Sequence, residues 1–271
     1  MYILPNLLTS GNLYFGFFSI IKSMHNEFEW AAGAILLSAI FDILDGRVAR
    51  LTNGTSEFGV QYDSLCDLIS FGLAPAIMMY QYSLHELGRI GWVCCFIFLA
   101  SGALRLARFN VQSSIGKADG DFTGLPIPMA AAVVACFVAF MADVNDSESK
   151  NIFVIQEIYK FFSSDIIRQR FFLIMGPLLA FLMVSNVAYR SHKSIKIKGV
   201  KPFRLLALLV TAFGLIAYKP SLLGFLFFFI YALSGLFEWI VGWKKPTDDD
   251  DIFEPQDEDS IMESRSRRSD D

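Results

Sequence analysis

The sequence predicts an all-α fold, a polytopic helical membrane protein with about eight transmembrane helices. The first observation is composition: 54% of the 271 residues are hydrophobic and only 18% are charged, whereas about a quarter of the residues in ordinary soluble domains are charged. The second is that the apolar residues lie in blocks of about 17–23, the length that a helix needs to cross roughly 30 Å of hydrocarbon. This block length disfavours the alternative, a large soluble core.

The predicted spans are joined mostly by short connections, and their bounds are approximate. They lie near residues 7–24, 29–49, 60–82, 89–109, 126–142, 170–189, 203–218 and 221–243. The first is expected to be retained in the mature protein, because neither a basic leader nor a small-x-small cleavage site accompanies it. Within the longest connection, 143–169, we expect residues 152–162 to form an amphipathic surface helix.

Charge divides the chain into two predicted regions. Residues 247–271 contain eleven acidic and three basic residues, whereas residues 1–246 carry a net charge of +4. Residues 1–246 are therefore expected to be the membrane domain. Residues 247–271 have too little apolar surface to fold by themselves, and we expect them to form an acidic disordered tail.

The distribution of Lys and Arg predicts the orientation in the membrane. With the N-terminus in the cytoplasm, thirteen basic residues near the span ends fall on the cytoplasmic side and seven on the outer side. The densest group lies at 190–204. Because positive charge collects on the cytoplasmic side, we expect the N-terminus and the acidic tail to be cytoplasmic, in the inner membrane.

Four carboxylates interrupt the apolar spans. Asp42 and Asp45 are three residues apart near the end of the second span, and Asp63 and Asp67 are four apart near the start of the third. Each spacing puts a pair on one helical face, and the short loop 51–58 allows the two faces to meet. Ionisable residues inside membrane helices are a functional hypothesis by default. An oxygen-only cluster suits Mg²⁺ or Mn²⁺, four carboxylates can hold two such cations, and a two-metal site suits displacement at phosphorus.

Small residues share the helical faces of these aspartates. Gly46, Ala49 and Gly59 allow either tight helix packing or the close approach of a flat, bulky ligand such as a nucleotide. By contrast, the four cysteines and three histidines have neither metal-ligand spacing nor the neighbours of a Ser-His-Asp arrangement.

The segment from Asp42 to Asp67 matches the pattern D-x2-D-G-x2-A-R-x8-G-x3-D-x3-D at all eight fixed positions. It resembles the signature of the CDP-alcohol phosphatidyltransferases. The resemblance implies that the four aspartates ligate two divalent cations, Mg²⁺ or Mn²⁺, and that the last, Asp67, is the base that deprotonates the acceptor hydroxyl. It also implies a nucleotide-binding set, which includes Asn6 and Thr9 from an N-terminal P-N-x-x-T segment. That set is Asn6, Thr9, Gly46, Ala49, Arg50 and Gly59.

Further segments resemble the phosphatidylserine synthase branch of the same family. They are Arg105-Leu-Ala-Arg-Phe-Asn110, Phe122-Thr-Gly-Leu-Pro-Ile-Pro128 and Phe71-Gly-Leu-Ala-Pro75, so the resemblance covers about residues 5–130. It implies CDP-diacylglycerol and L-serine as substrates, contact with membrane lipids, a homodimer and no nucleic-acid partner. Arg105 and Arg108, three apart on one helical face, are the candidate acceptor-binding pair, because a guanidinium fork suits a carboxylate.

Several alternatives stay open on the sequence. Two arginines also suit glycerol 3-phosphate, and inositol phosphate or choline are further possible acceptors. Outside the enzyme class, intramembrane aspartates also occur in ion transporters, although no internal repeat of the kind common in transporters is evident. A non-catalytic membrane scaffold leaves the four carboxylates without a role.

Overall fold

The computed structural model describes residues 3–52, 56–114, 122–143, 153–189 and 220–240. Within these ranges the chain is almost entirely helical, as predicted. The helices are α1 (Ile3–Met24), α2 (Phe28–Leu51), α3 (Glu57–Asp67), α4 (Ala74–Tyr82), α5 (Arg89–Ser114), α6 (Ile127–Asp143), α7 (Phe153–Phe162), α8 (Asp165–Val184) and α9 (Pro220–Ile240). A π-helical segment, Leu68–Leu73, joins α3 to α4, and a 3₁₀ turn, Leu84–Leu87, precedes α5. Two short strands, β1 (Phe122–Thr123) and β2 (Ala188–Tyr189), pair antiparallel.

Helices occupy seven of the eight predicted spans. The remaining span, 203–218, lies outside the described residues, as does the predicted tail. In the described part, three helices are long and apolar enough to cross a membrane: Arg89–Ser113, Asp165–Val184 and Pro220–Phe237. A shorter apolar helix covers Ile127–Ala142. The apolar helices are those of a membrane protein, whereas eight crossings stay a prediction.

Two elements differ in detail from the prediction. The sixth span, expected at 170–189, is a helix at Asp165–Val184, because the chain becomes extended at Ser185 and then forms β2. The third span is one helical rod with a π-helical centre. The amphipathic helix expected at 152–162 is present as α7.

The π-helical segment is followed closely by a proline. Pro75 has no N–H to donate to the carbonyl of Phe71, so that α-helical hydrogen bond is absent. One residue earlier, the Ala74 N–H donates to the carbonyl of Ile69, five residues back. Ser70, inside this segment, is fully buried and its hydroxyl donates a 3.0 Å hydrogen bond to the backbone carbonyl of Asn12 in α1. The wider turn thus ties the rod to α1 directly beyond the acidic residues.

Helix α6 lies at the centre of the bundle. Its residues Ala130 to Val134 are almost completely buried, and it packs against α2 and α9 and also contacts α4, α5 and α8. The core around it is rich in phenylalanine, with Phe137 stacked on Phe171 at 4.3 Å between ring centroids. A helix that is apolar on every side is expected at such a position, because it meets protein on every side.

Helix α1 packs against α2, and its buried face is small and polar rather than large and apolar. The buried residues recur every three or four positions: Pro5, Thr9, Asn12, Gly16, Ser19, Ile20 and Ser23. A Cβ added at Gly16 would collide with Ser70, so glycine is required for the close approach of α1 to the π-helical segment. This close packing brings the N-terminal half of α1 to the acidic ends of α2 and α3.

The segment before α6 pairs with the segment after α8 through the two short strands β1 and β2. The Gly124 N–H donates to Val187 at 2.8 Å, and the Leu125 N–H donates to Leu182 at 2.9 Å. Gly124 has a φ of +76°, and a Cβ at this position would collide with the carbonyl oxygen of Met183. Both the backbone conformation and the available space therefore require glycine.

We expect the substitution Gly124→Ala to destabilise the fold by about 1–3 kcal/mol, the usual cost of a non-glycine residue in a strained backbone conformation. Thermal unfolding of purified protein in detergent measures the loss as a lower Tm. Gly33→Ala is the matched control, because it lies inside α2 and an added Cβ there meets no atom within 4 Å. Equal melting temperatures for the two variants would contradict the role assigned to Gly124.

Candidate active site

The predicted acidic cluster is assembled where the C-terminal part of α2 faces α3. Asp42, Asp63 and Asp67 each offer a carboxylate oxygen, and these oxygens all lie within 4.8 Å of one another. Asp67 is 8% exposed, and Asp45 is 4% exposed. Asp45 is not one of the three mutually close carboxylates, but it is near enough to Asp42 and Asp63 to interact electrostatically with both. The structure therefore brings all four predicted carboxylates into one region.

Hydrogen bonds fix α3 to its two neighbours along its length. The Tyr62 and Ser10 hydroxyls are 2.9 Å apart, which joins α3 to α1. The Asn110 amide donates a 2.9 Å hydrogen bond to the Ser64 hydroxyl, which joins α3 to α5. At the start of α3, the Ser56 hydroxyl caps the helix by accepting from the Gly59 N–H at 3.0 Å. These bonds hold the backbone that carries Asp63 and Asp67.

Next to the acidic cluster is a cavity of about 360 Å³. It lies where the N-terminal end of α1, the C-terminal ends of α2 and α5 and the start of α3 meet. Every residue that the sequence predicted for nucleotide binding lines it, together with two of the acidic residues. The lining residues are Pro5, Asn6, Thr9, Asp45, Gly46, Ala49, Arg50, Ser56, Gly59, Val60, Asp63 and Phe109.

The two glycines in the cavity wall differ in what an added side chain would meet. At Gly46 the nearest atom to a Cβ is the Arg50 Nη2, at 3.9 Å, so the space beside Gly46 belongs to the cavity. At Gly59 a Cβ would lie 3.1 Å from the Ser56 hydroxyl and 3.5 Å from Asn6 Oδ1. Packing within the protein accounts for Gly59, whereas no neighbouring atom in the described part of the chain requires glycine at position 46.

The predicted acceptor pair is divided between two environments. Arg105 is 9% exposed and interacts electrostatically with Asp67 and Asp42. Arg108 instead donates to the carbonyl of Val184 at 3.1 Å and to Asn186 Oδ1 at 2.5 Å, at the carboxyl end of α8. The structure thus brings Arg105 to the acidic cluster, whereas Arg108 binds residues at the carboxyl end of α8.

Sequence reasoning missed several residues that build the site. Asn12 donates a hydrogen bond to Asp67, and the Tyr62 hydroxyl is hydrogen-bonded to Ser10 in α1. Phe109 lines the cavity, and the Arg105 guanidinium lies 5.8 Å from the centroid of the Phe109 ring. Asn12 had a signal in the sequence, because a polar residue inside an apolar helix needs a partner. The partner itself, 55 positions away, was not predictable from spacing.

The acidic residues fit divalent cations. Asp45 Oδ2 and Asp63 Oδ1 are buried and have no hydrogen-bond partner among the described residues. Buried carboxylate oxygens without donors need a compensating positive charge, and hard oxygen ligands are those that Mg²⁺ and Mn²⁺ prefer. The donor set and its unpaired atoms are therefore suited to such ions.

Comparison with known proteins agrees with this geometry. Residues 2–163 match the family model of the CDP-alcohol phosphatidyltransferases. The sequence is 35% identical over 240 residues to the CDP-diacylglycerol–serine O-phosphatidyltransferase of Helicobacter pylori, which covers 89% of this chain and 92% of that protein. It is 32% identical over 197 residues to the protein of the same name in Methanocaldococcus jannaschii, covering 68% and 82% of the two chains. It is also 42% identical over 136 residues to the archaetidylserine synthase of Methanothermobacter thermautotrophicus, covering 49% and 57%.

The chain therefore belongs to the CDP-alcohol phosphatidyltransferase family. The predicted family and the predicted class of enzyme, a phospholipid-synthesising transferase of the membrane, are confirmed. The family match reaches residue 163, beyond the limit near 130 that the sequence motifs suggested. Membership favours an enzyme over both the ion transporter and the scaffold.

Proposed function

We propose that this protein transfers the phosphatidyl group of CDP-diacylglycerol to the hydroxyl of L-serine, giving phosphatidylserine and CMP. The observation that carries the proposal is the cavity that joins Asp45 and Asp63 to the residues expected to bind a nucleotide. A nucleotide beside a carboxylate cluster has its pyrophosphate next to groups that hold divalent cations. Relatives that carry serine in their names support the choice of acceptor.

In this proposal the nucleotide occupies the 360 Å³ cavity. Gly46 and Ala49 give the flat cytidine a surface without large side chains, and Asn6 and Thr9 offer polar atoms to its edge. Arg50, whose Nε donates to the carbonyl of Gly46 at 2.9 Å, lies on the same wall and supports it. The acyl chains of the donor lipid remain in the surrounding membrane.

The acceptor approaches the acidic cluster from the side of Arg105. The Arg105 guanidinium interacts electrostatically with Asp42 and Asp67, and it suits the carboxylate of serine. Arg108 has partners at the end of α8, so we propose that it supports this part of the site and that Arg105 makes the direct contact.

The chemical step is one displacement at phosphorus. The serine hydroxyl oxygen forms a bond to the lipid-side phosphorus, the bond from that phosphorus to the CMP oxygen breaks, and the hydroxyl proton passes to Asp67. Two divalent cations, Mg²⁺ or Mn²⁺, held by Asp42, Asp45, Asp63 and Asp67, offset negative charge on the phosphates when bound. By holding the cations, the aspartates would orient both substrates for the displacement.

We further propose that the protein lies in the inner membrane, as a homodimer, with its active site and residues 247–271 facing the cytoplasm. The cavity is lined by the start of α1 and by the ends of α2 and α5, so it lies at the end of the bundle that the Lys and Arg distribution assigns to the cytoplasm. This side supplies soluble serine and receives CMP.

The direct test is CMP release from CDP-diacylglycerol by purified protein with Mn²⁺ or Mg²⁺, with each candidate alcohol added separately. We expect release with serine and a loss of at least about a hundredfold in Asp63→Asn, because a ligand of the cations is removed. Glu29→Gln, a matched acid-to-amide exchange in the first turn of α2 and outside the acidic cluster, is the control and should retain activity. Release with glycerol 3-phosphate, inositol phosphate or choline but not with serine would contradict the proposed acceptor.

Filling the cavity tests the nucleotide site. We expect Gly46→Leu to raise the KM for CDP-diacylglycerol by about tenfold or more with little change in Tm, because the added side chain enters space that the protein leaves open. Gly33→Leu is the matched control on α2, since an added Cβ there also meets no atom. An unchanged KM in Gly46→Leu would show that the nucleotide binds elsewhere.

Matched substitutions of Arg105 and Arg108 distinguish the roles proposed for them. Arg105→Gln should lower serine-dependent kcat/KM of the folded protein by about a hundredfold, because it removes a charged contact to the acceptor. Arg108→Gln should chiefly lower the Tm, because it removes the hydrogen bonds to Val184 and Asn186. The reverse pattern, with Arg108 controlling kcat/KM and Arg105 controlling Tm, would contradict these assignments.

A further inference from the structure

Asn12 lies in the first half of α1 and is completely buried. Its Nδ2 donates a 2.9 Å hydrogen bond to Asp67 Oδ1. Its Oδ1 is buried and has no hydrogen-bond partner among the described residues. A buried amide that satisfies only its donor side is costly, since an unpaired polar atom loses its hydration without compensation. Such a residue needs an explanation beyond packing.

The surroundings of Asn12 hold its amide in place. Its backbone carbonyl accepts a 3.0 Å hydrogen bond from Ser70, within the π-helical segment that follows Asp67. Gly16, one turn further along α1, allows this approach because a larger residue would collide with Ser70. The same segment of α1 thus contacts the chain at Asp67 and three residues beyond it. Two attachment points leave little freedom for the Asn12 side chain to move relative to Asp67.

The Asn12 amide restrains one of the two oxygens of Asp67. A carboxylate rotates easily about its terminal bond, and the repulsion from Asp42 and Asp63, within 4.8 Å, favours rotation away from the cluster. A neutral donor on Oδ1 opposes this rotation without adding a charge. We infer that Asn12 is a positioning residue, whose amide holds the Asp67 carboxylate toward Asp42 and Asp63 and so sets the affinity for divalent cations and the rate of transfer.

The test replaces the amide by an apolar group of similar size, Asn12→Leu. Residues that orient metal ligands typically contribute about 10–100-fold to metal affinity or activity. We therefore expect Mn²⁺ affinity, measured by EPR on purified protein without substrates, to weaken by about that factor. The kcat for serine-dependent CMP release should fall similarly, with the KM for CDP-diacylglycerol within about twofold of wild type. Unchanged Mn²⁺ affinity and kcat would overturn the inference.

A control and a second substitution separate positioning from structural support. Ser19→Ala, on the same buried face of α1, removes another buried polar group that has no partner in the described part, and it should leave Mn²⁺ affinity and kcat unchanged. Should Asn12→Leu fail to yield folded protein, Asn12→Ala removes the same donor without adding bulk, and it should show the same losses. Wild-type Mn²⁺ affinity in folded Asn12→Ala would equally overturn the inference.

A double-mutant cycle shows whether Asn12 acts through Asp67. In an Asp67→Asn background, we expect Asn12→Leu to cause no further loss of Mn²⁺ affinity, whereas fully additive losses would contradict the inference. The kinetic part rests on the proposed transfer to serine, but the cation measurement does not. If the wild type turns over serine and Asn12→Leu has unchanged Mn²⁺ affinity and kcat, the inference about Asn12 is refuted and the proposed function is not. No turnover with any alcohol, together with weakened Mn²⁺ binding in Asn12→Leu, would refute the proposed function alone.

Discussion

Carboxylates are crowded at one end of the membrane helix bundle, and their mutual repulsion determines what the neighbouring elements must provide. Asp42, Asp63 and Asp67 present oxygens within 4.8 Å of one another, and Asp45 is buried beside them. Two like unit charges about 5 Å apart repel by about 3 kcal/mol at an effective dielectric constant near 20. A marginally stable fold does not retain several such pairs without compensation. Arg105 supplies part of the compensating charge, and bound divalent cations would supply more.

The neighbouring elements have the features that this cluster requires. Helix α1 turns a face of small and polar residues, including Thr9 and Asn12, toward α2 and the rod formed by α3 and α4. The π-helical segment that precedes Pro75 begins directly after Asp67, and π-helical turns are frequent at functional sites. The apolar helices α6, α8 and α9 contact one another, and α6 also packs against α2 and α8 against α5. These contacts stabilise the helices that carry Asp42, Asp45 and Arg105.

Much of this arrangement was predictable from local sequence. Block lengths of apolar residues predicted the helices, and the spacing of Asp42, Asp45, Asp63 and Asp67 predicted their common faces, because helical periodicity is a local property. The wall of the cavity was predictable from resemblance to a family signature. The different partners of Arg105 and Arg108 were not, since the carboxyl end of α8 that binds Arg108 is 76 residues further along the chain. The same holds for Asn12, whose partner depends on how α1 crosses α3.

We propose that the four aspartates form one centre for divalent cations. Titration of the purified full-length protein with Mn²⁺, followed by EPR in the absence of substrates, examines this centre without relying on turnover. We expect about two tightly bound Mn²⁺ per chain, as for a two-metal site, and the loss of tight binding in both Asp42→Asn and Asp63→Asn. Weak binding in the wild type that neither substitution changes would contradict the claim.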